Sequence, residues 1–120
     1  MDRFQQLIDG AFEDGAAGFD SLDPATGTPW ARMPMASAAD VDRAVKAAHR
    51  AFRAPEWAGL TATARGKLLY RLADLVQAAA PRLAALETRD TGKIIRETTA
   101  QIAYVADYFR YYAGLADKIE

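Results

Sequence analysis

The spacing of apolar positions along the chain changes character at Ser37. Residues 4–35 carry short alternating runs interrupted by glycine, proline and aspartate, which is typical of strands joined by turns. Residues 37–117 instead place apolar side chains three and four positions apart, which is the spacing of one helix face. The pattern therefore predicts an α+β chain in which a short antiparallel strand meander is followed by four helices.

Turn residues divide the strand region into three predicted strands. Residues 4–12 form the first, the glycine-containing residues 13–18 are the expected hairpin connection, and residues 19–22 are expected to return antiparallel to the first strand. The next turn is predicted at residues 23–27, which combine aspartate, proline and glycine. Residues 30–35 follow as a predicted edge strand, because a proline in this run cannot donate to a ladder of hydrogen bonds.

The first helix is predicted to begin at Ser37, because Asp40 three residues later completes a capping signal. It is expected to end before Pro55. Asp42 and Lys46 are four residues apart on its polar face, which favours an ion pair. The apolar stripe of this helix is Val41, Ala44, Val45, Ala48 and Phe52.

Three more helices are predicted after a loop. Thr61 or Thr63 can cap the second helix, and Pro81 suits the first turn of a third, shorter one. Gly92 is expected to end that helix in a left-handed conformation, with Lys93 at the negative end of its dipole. The fourth pattern continues to about residue 117 and is rich in aromatic residues: Tyr104, Tyr108, Phe109, Tyr111 and Tyr112.

Composition narrows the possible functions. The chain has 120 residues, of which 51% are apolar, so it is one domain or one piece of a larger one. With 15 basic and 16 acidic side chains there is no excess positive charge to attract nucleic acid or a membrane surface. No window is long and apolar enough to span a membrane, no signal peptide begins the chain, and there is no cysteine. The expected compartment is the cytoplasm.

Most candidate chemical groups have simpler structural interpretations. His49 is the only histidine and has no second metal ligand at helical spacing, so we interpret it as a boundary residue. Gly10, Gly15 and Gly18 lie in a predicted hairpin, whereas a phosphate-binding loop joins a strand to a helix. The Gly-Lys pair in residues 91–94 lacks the other residues of a phosphate-binding loop.

The remaining candidates are carboxylates, hydroxyls and aromatic rings. Ser21 and Ser37 have no nearby base, and Ser37 is already explained as a cap. The aromatic run at residues 104–112 could line a ligand tunnel, although helical spacing favours a packing face. Four carboxylates are predicted to be solvated surface groups, because each lies in a helical pattern near Arg or Lys: Glu87, Asp90, Glu97 and Asp107. No complete active site follows from the spacing.

Five sequence blocks resemble the N-terminal part of the NAD(P)-dependent aldehyde dehydrogenase superfamily. Singly each block is weak, but their order and near-standard spacing cover practically the whole chain. The blocks are residues 7–12, 23–27, 38–45, 86–93 and 110–118, the last of which reads RYYAGLADK. The resemblance implies that residues 1–120 belong to the cofactor-binding domain of a longer protein with a Rossmann-type α/β fold, as strands and helices that pack beside its sheet. It does not imply that the sheet itself is within this chain.

The resemblance also implies that the chemistry lies elsewhere. Relatives continue for several hundred residues, and that portion holds the nucleotide-contacting glycine loop, an Asn, a general-base Glu and a nucleophilic Cys. Because this chain has no cysteine, it cannot attack an aldehyde by itself. We therefore assign no catalytic, cofactor-binding or metal-ligating residue here, and expect the chain alone to be inactive.

Two smaller roles could be carried over by resemblance. Some relatives bind a structural monovalent cation through backbone carbonyls that would correspond to Ser21 and Leu22, plus a carboxylate whose position corresponds to Gln101. A neutral amide would weaken such a site, so no metal ligand is assigned. The helix segment near Tyr108 and Tyr112 resembles the part of relatives close to the substrate tunnel.

Three interpretations remain open at this stage. The favoured one is a fragment of an enzyme that oxidises an aldehyde to a carboxylic acid with NAD or NADP and that assembles as a homo-oligomer. The second is a truncated or split-gene product that docks onto full-length subunits. The third is an independent helical binding domain. The particular aldehyde and the choice between NAD and NADP are not encoded in these residues.

Overall fold

The computed structural model describes residues 1–118. The chain forms two compact units, which meet between Gly59 and Leu60 of the sequence. The first unit holds five strands and two helices, and the second holds two long helices. The α+β class with short strands followed by four helices is confirmed. The elements are β1 (Asp2–Arg3), β2 (Gln6–Ile8), β3 (Ala11–Glu13), β4 (Ala17–Leu22), β5 (Pro29–Met35), α1 (Ala38–Arg53), α2 (Pro55–Ala58), α3 (Ala62–Thr91) and α4 (Ile95–Leu115).

The first hairpin turns earlier than the sequence pattern predicted. Strands β2 and β3 pair antiparallel through Asp9 and Gly10, whose φ angles are 53° and 80°. Two successive residues with positive φ form the tight turn that matches the twist of a hairpin, and Asp-Gly suits it. The predictions of one strand over residues 4–12 and of a connection at residues 13–18 were therefore wrong.

Strand β5 is the centre of a three-stranded sheet, with β1 parallel on one side and β4 antiparallel on the other. Residues 19–22 thus pair with β5, not with the first strand as predicted. The prediction that residues 30–35 form an edge strand was also wrong. Pro34 is tolerated because β1 pairs only with Ala31 and Arg32, so the missing N–H falls beyond the end of β1.

The predicted turn at residues 23–27 is confirmed as the link between β4 and β5. The Gly27 amide donates to the Asp23 carbonyl oxygen at 2.7 Å, and the Ala25 amide donates to the Asp23 carboxylate at 2.8 Å. Gly27 has φ 69°, which a side chain at this position would disfavour. This turn sets the register in which β4 and β5 pair.

Helix α1 begins as predicted. The Asp40 amide donates to the Ser37 hydroxyl at 3.2 Å, and the Ser37 amide donates to the Asp40 carboxylate at 2.8 Å, which completes a reciprocal capping box. Lys46 and Asp42 pair at 2.7 Å, also as predicted. The hydrogen bond from the Arg43 guanidinium is the largest of the effects that hold the pKa of the Asp40 carboxyl far below its usual range. The hydrogen bonds from Ser37 are the next largest.

The predicted apolar stripe of α1 stays largely uncovered in this chain. Val41, Val45 and Phe52 are 54%, 63% and 68% exposed, whereas Ala47 is the buried residue of the helix. A face with this composition is normally covered by another layer of structure.

The predicted second and third helices are one continuous helix, α3, with Pro81 in its interior. Proline removes one helical hydrogen bond and disfavours the preceding turn, which is why the sequence predicted a break. Packing overrides this local cost, since Ala73 and Ala84 lie on either side of Pro81 and are fully buried. The remaining helix is the short α2, which lies where the sequence predicted a loop before residue 60.

Helices α3 and α4 form a close pair joined by a tight connection. Gly92 adopts the predicted left-handed conformation, with φ 75°, and its amide donates to the Thr88 carbonyl oxygen. The hydroxyls of Thr88 and Thr98 meet at 2.8 Å beside this connection, and Thr98 is fully buried. Small residues line the buried side of the pair, which allows the two backbones to approach each other. No helix within residues 1–118 has the length and apolar character needed to cross a bilayer.

Candidate functional site

The most distinctive surface of the second unit is a row of tyrosines on α4. Tyr104, Tyr108, Tyr111 and Tyr112 lie four, three and one residues apart, so the helix presents them on neighbouring turns of one side. Each is between 46% and 64% exposed. We call this surface the tyrosine groove. Helical spacing alone favoured a packing face, yet this face is open to solvent in the chain described here.

The rings of the tyrosine groove contact one another in sequence. The ring centres of Tyr104 and Tyr108 are 5.8 Å apart, and those of Tyr108 and Tyr112 are 5.0 Å apart. Tyr111 meets Tyr112 edge to face at 5.3 Å. These separations lie in the range where aromatic rings attract each other.

Two hydroxyl groups of this row also meet. The hydroxyl oxygens of Tyr108 and Tyr112 are 3.4 Å apart, which is long for a hydrogen bond between hydroxyls. That contact is the largest of the effects that raise the pKa of Tyr112. The charge interaction with Tyr108 and burial follow in that order. A phenol is already protonated at neutral pH, so Tyr112 is a hydrogen-bond donor there with or without this shift.

The groove contains one carboxylate, and that charge is compensated. The four tyrosines and Asp107 line a depression of about 360 Å³. Arg110 pairs with Asp107 at 3.0 Å and with Asp74 of α3 at 3.0 Å, and it also donates to Gln77. Hydrogen bonds to Asp74 and then to Asp107 raise the pKa of Arg110. The groove is therefore aromatic and close to electrically neutral.

Arg110 is a residue whose role the sequence pattern missed. Its position three residues after Asp107 indicated the contact within α4. The contacts to Asp74 and Gln77 link residues 36 and 33 positions apart, and no local signal encodes them. They become visible only when α3 is recognised as one continuous helix that runs beside α4.

The Gly-Lys segment after α3 is a helix end, as predicted. The Lys93 ammonium lies 2.6 Å from the Glu87 carboxylate and 3.2 Å from the Gln101 side-chain oxygen. The Gln101 side-chain oxygen thus accepts a hydrogen bond from a lysine.

The other candidates from the sequence are not brought together into a site. Ser21 lies at a register shift in the pairing of β4 with β5, and Ser37 caps α1. The His49 ring nitrogen accepts a hydrogen bond from Arg53 at 3.0 Å on the exposed side of α1. Glu97 lies in the first turn of α4. Within residues 1–118, no three His, Cys, Asp or Glu side chains are grouped closely enough to hold a metal ion.

Comparison with known proteins gives the family to which the chain belongs. A sequence model described as the aldehyde dehydrogenase family matches residues 12–120. The chain belongs to the aldehyde dehydrogenase family. A curated relative from Acinetobacter baylyi, (Z)-2-((N-methylformamido)methylene)-5-hydroxybutyrolactone dehydrogenase, is 69% identical over all 120 residues, which are 25% of its own length.

Solved structures of family members agree with this assignment. An NAD-dependent aldehyde dehydrogenase from Sinorhizobium meliloti matches 98% of this chain with a TM-score of 0.93 and 36% identity. A variant of betaine aldehyde dehydrogenase from Staphylococcus aureus, solved with NAD+, matches 96% with a TM-score of 0.90 and 37% identity. Each match covers 24% of the solved chain. The aldehyde dehydrogenase segment described here therefore spans about a quarter of its relatives.

Proposed function

We propose that these residues are the N-terminal quarter of an enzyme that oxidises an aldehyde to a carboxylic acid with NAD or NADP as the hydride acceptor. The observation that carries the proposal is the family match over residues 12–120, together with the quarter of each relative that the chain spans. In this proposal the segment is scaffold, and it contributes no catalytic residue.

The substrate proposal follows from the relative that is 69% identical. Its name specifies a 5-hydroxybutyrolactone that carries an N-methylformamide group. A lactone with a hydroxyl on the carbon beside the ring oxygen is the closed form of an aldehyde that also bears a carboxylic acid. We therefore propose a substrate of this class: a small hydroxylactone, or its open aldehyde, with a neutral amide substituent.

The cofactor proposal concerns residues outside this segment. The Sinorhizobium meliloti relative is named as NAD-dependent, and the Staphylococcus aureus structure contains NAD+. The segment itself does not fit a dinucleotide site, since Gly10 lies in a hairpin turn and Gly92 follows the end of a helix. Neither glycine precedes a helix N-terminus in the strand–loop–helix arrangement that binds a pyrophosphate. We therefore propose that the cofactor contacts belong to the remaining three quarters of the enzyme.

The role of the segment in the domain is also a proposal. We infer that residues 1–120 form the outer part of the cofactor-binding domain and that the remaining chain covers their apolar faces. The exposed stripe of Val41, Val45 and Phe52 on α1 supports this role, because a solvated surface helix does not normally expose such a stripe. Assembly of the full-length enzyme into a homo-oligomer is part of the same proposal.

A full-length chimera tests the proposed function directly. Residues 1–120 replace the matching N-terminal quarter of the Acinetobacter baylyi relative, whose remaining three quarters supply the catalytic part. We expect this chimera to form NADH or NADPH from the hydroxylactone, and the 120-residue chain alone to form none. A folded chimera without dehydrogenase activity, or turnover by the isolated chain above the buffer rate, would contradict the proposal.

A further inference from the structure

We propose that Asp9 is a modification site, at which the peptide bond between Asp9 and Gly10 rearranges spontaneously into an isoaspartate linkage. Both reacting groups belong to neighbouring residues, so the reaction needs no second protein. The inference is independent of the proposed function, since it concerns the chemistry of one turn in the first unit. Of the two Asp-Gly pairs in the chain, it assigns the reaction to Asp9-Gly10 and not to Asp14-Gly15.

The rearrangement balances with water alone. The Gly10 backbone nitrogen attacks the Cγ carbon of the Asp9 carboxyl group, and the carboxyl hydroxyl leaves with the amide proton as water. This step closes a succinimide ring, and a following glycine favours it because no side chain hinders the nitrogen. Water then adds to the backbone carbonyl carbon of Asp9, and the bond from that carbon to the Gly10 nitrogen breaks. The chain now runs through Cγ, and its mass is unchanged.

The turn that carries Asp9 is held by few contacts. Within residues 1–118, strands β2 and β3 pair only with each other, and an isolated two-stranded hairpin is only marginally stable. Among the described residues, no atom lies within 4 Å of the place that a Cβ atom of Gly10 would occupy. The Asp9 side chain is 65% exposed. Local opening of this hairpin therefore gives Asp9 the freedom that ring closure requires.

The second Asp-Gly pair is held more firmly. Arg3 donates to one carboxylate oxygen of Asp14 at 3.0 Å, and Gln5 donates to the other at 3.2 Å. A Cβ atom at Gly15 would lie 2.8 Å from the Met35 carbonyl oxygen, so the backbone is tightly packed there. Ring closure at Asp14 has to break both side-chain contacts and move this backbone. We therefore expect it to be slower than ring closure at Asp9.

One ion pair protects Asp9 in part. The Arg50 guanidinium lies 2.7 Å from the Asp9 carboxylate. A carboxylate paired with a guanidinium is a poor target for a nitrogen nucleophile, so this contact has to break before Gly10 attacks. Both side chains are more than half exposed, and an ion pair of this kind is weak. The pair is therefore expected to slow the reaction without preventing it.

The product is expected to loosen the hairpin. An isoaspartate linkage adds one backbone atom to the turn, and Ile8 pairs with Ala11 directly across that turn. The longer turn no longer matches this register. Ile8 is a buried residue of the first unit, so a disturbed register also disturbs its packing. Modification at Asp9 should therefore lower the stability of the first unit.

The test follows the two Asp-Gly pairs in the same sample. The 120-residue chain is incubated at neutral pH for several weeks, once folded and once in urea that unfolds it. Chymotrypsin cleaves after Phe12, which places Asp9 and Asp14 in different peptides. Electron-transfer fragmentation then identifies isoaspartate in each peptide. The urea sample reports how the two sequences react without the fold.

Four variants separate the contributions. Asp9→Glu should abolish the product at residue 9, because the larger ring that glutamate would form closes far more slowly, whereas Asp14→Glu should leave it unchanged. Arg50→Gln removes the protecting ion pair. Lys46→Gln is its matched control, because Lys46 lies one turn earlier on α1 and pairs with Asp42. Circular dichroism confirms that each variant is folded.

In the folded chain we expect isoaspartate to accumulate about two- to tenfold faster at residue 9 than at residue 14, which is the effect of one further hydrogen bond that has to break. The two rates should be nearly equal in urea. Arg50→Gln should raise the rate at residue 9 about two- to fivefold, the range that an exposed ion pair provides. Lys46→Gln should leave that rate unchanged, and the modified fraction should unfold at a lower urea concentration than the parent chain.

Equal accumulation at residues 9 and 14 in the folded chain would overturn the inference, because the product would then arise from the unfolded chain and not from the turn. An Arg50→Gln variant that reacts at residue 9 no faster than Lys46→Gln would overturn the protecting role of the ion pair. A modified fraction that is as stable as the parent chain would contradict the loosening of the hairpin.

Discussion

Gly66 of α3 lies so close to Ala113 of α4 that a Cβ atom at position 66 would stand 2.7 Å from the Ala113 carbonyl oxygen. Real Cβ atoms do not approach a backbone oxygen this closely, so glycine at this position sets the separation of the two helices. Ala73, Ala84 and Ala106 are also fully buried, which shows that the interface is built from small side chains. The backbone approach at Gly66 therefore depends on the absence of a single methyl group.

Gly66→Ala is expected to destabilise the 120-residue chain by about 1–3 kcal/mol, because the added methyl group forces α3 and α4 apart. The better helix propensity of alanine offsets only about 1 kcal/mol of this strain. Urea unfolding followed by far-ultraviolet circular dichroism measures the change. Gly114→Ala is the matched control, since a Cβ there would lie 3.4 Å from the Tyr70 hydroxyl oxygen, a contact that a small side-chain shift relieves. Equal stability of Gly66→Ala and the parent chain would contradict the packing argument.

Pro81→Ala is expected to stabilise the chain by about 2 kcal/mol. Pro81 lies inside α3 and is exposed, so replacing it restores a helical amide without removing buried apolar surface. The greater freedom of alanine in the unfolded chain reduces the gain by less than about 1 kcal/mol. The same urea unfolding measures the gain in stability. Ala78→Gly, at another exposed position of α3, is the control and is expected to destabilise the chain. A loss of stability in Pro81→Ala would show that the ring makes a packing contact.

Features formed by neighbouring residues could be predicted from the sequence, whereas features that depend on packing between distant residues could not. Local chemistry predicted the cap at Ser37 and the helix end at Gly92, because the residues that form each feature are neighbours in the chain. Packing between distant residues decided the continuity of α3 through Pro81 and the pairing of β1 with β5. The first hairpin was misplaced because two glycine-containing turns were available, and the tight Asp-Gly turn at residue 9 is the one used.

The candidate site was predictable only in part for a similar reason. Helical spacing placed Tyr104, Tyr108 and Tyr112 on one face, but the spacing of a packing face and that of a ligand-binding face are the same. The tyrosines are about as exposed as Val45 and Phe52 on α1, so exposure within these 120 residues is the same for both kinds of face. Family resemblance carries the proposed function, in which the residues that perform the chemistry lie outside the 120 residues and leave no local pattern.

Ser37→Ala is expected to destabilise α1 by about 1 kcal/mol. The substitution removes the hydroxyl that accepts from the Asp40 amide at 3.2 Å and donates to the Asp40 carboxylate at 2.7 Å. Ser37→Thr keeps a hydroxyl at the cap and is expected to lose less than half as much. Urea unfolding of both variants measures the difference. Equal losses would indicate that the hydroxyl is not the stabilising group.

The stability of the first unit should fall at acid pH partly through Asp40. Hydrogen bonds from Arg43 and then from Ser37 lower the folded-state pKa of Asp40 below its value in the unfolded chain. A carboxyl with a lowered folded-state pKa stabilises the fold above its unfolded-state pKa, about 4, and this contribution is lost as pH falls toward the folded value. We expect the carboxyl carbon of Asp40 to titrate below those of other aspartates in a nuclear magnetic resonance experiment. Asp40→Asn should reduce the slope of stability against pH below pH 4, and an unchanged slope would contradict the assignment.

The isolated chain should bind a hydrophobic dye through α1. The stripe of Val41, Val45 and Phe52 is more than half exposed, and an apolar stripe of this kind lowers its free energy by leaving water. We therefore expect a large fluorescence increase when the dye 8-anilinonaphthalene-1-sulfonate is added to the 120-residue chain, and a small one with the full-length chimera, in which the remaining chain covers the stripe. Phe52→Gln should reduce the signal of the isolated chain, whereas Arg53→Gln, one position along the same helix, should leave it unchanged. Equal dye binding by the chain and the chimera would show that the stripe stays exposed in the full-length enzyme, and the proposed position of α1 in the cofactor-binding domain would then be wrong.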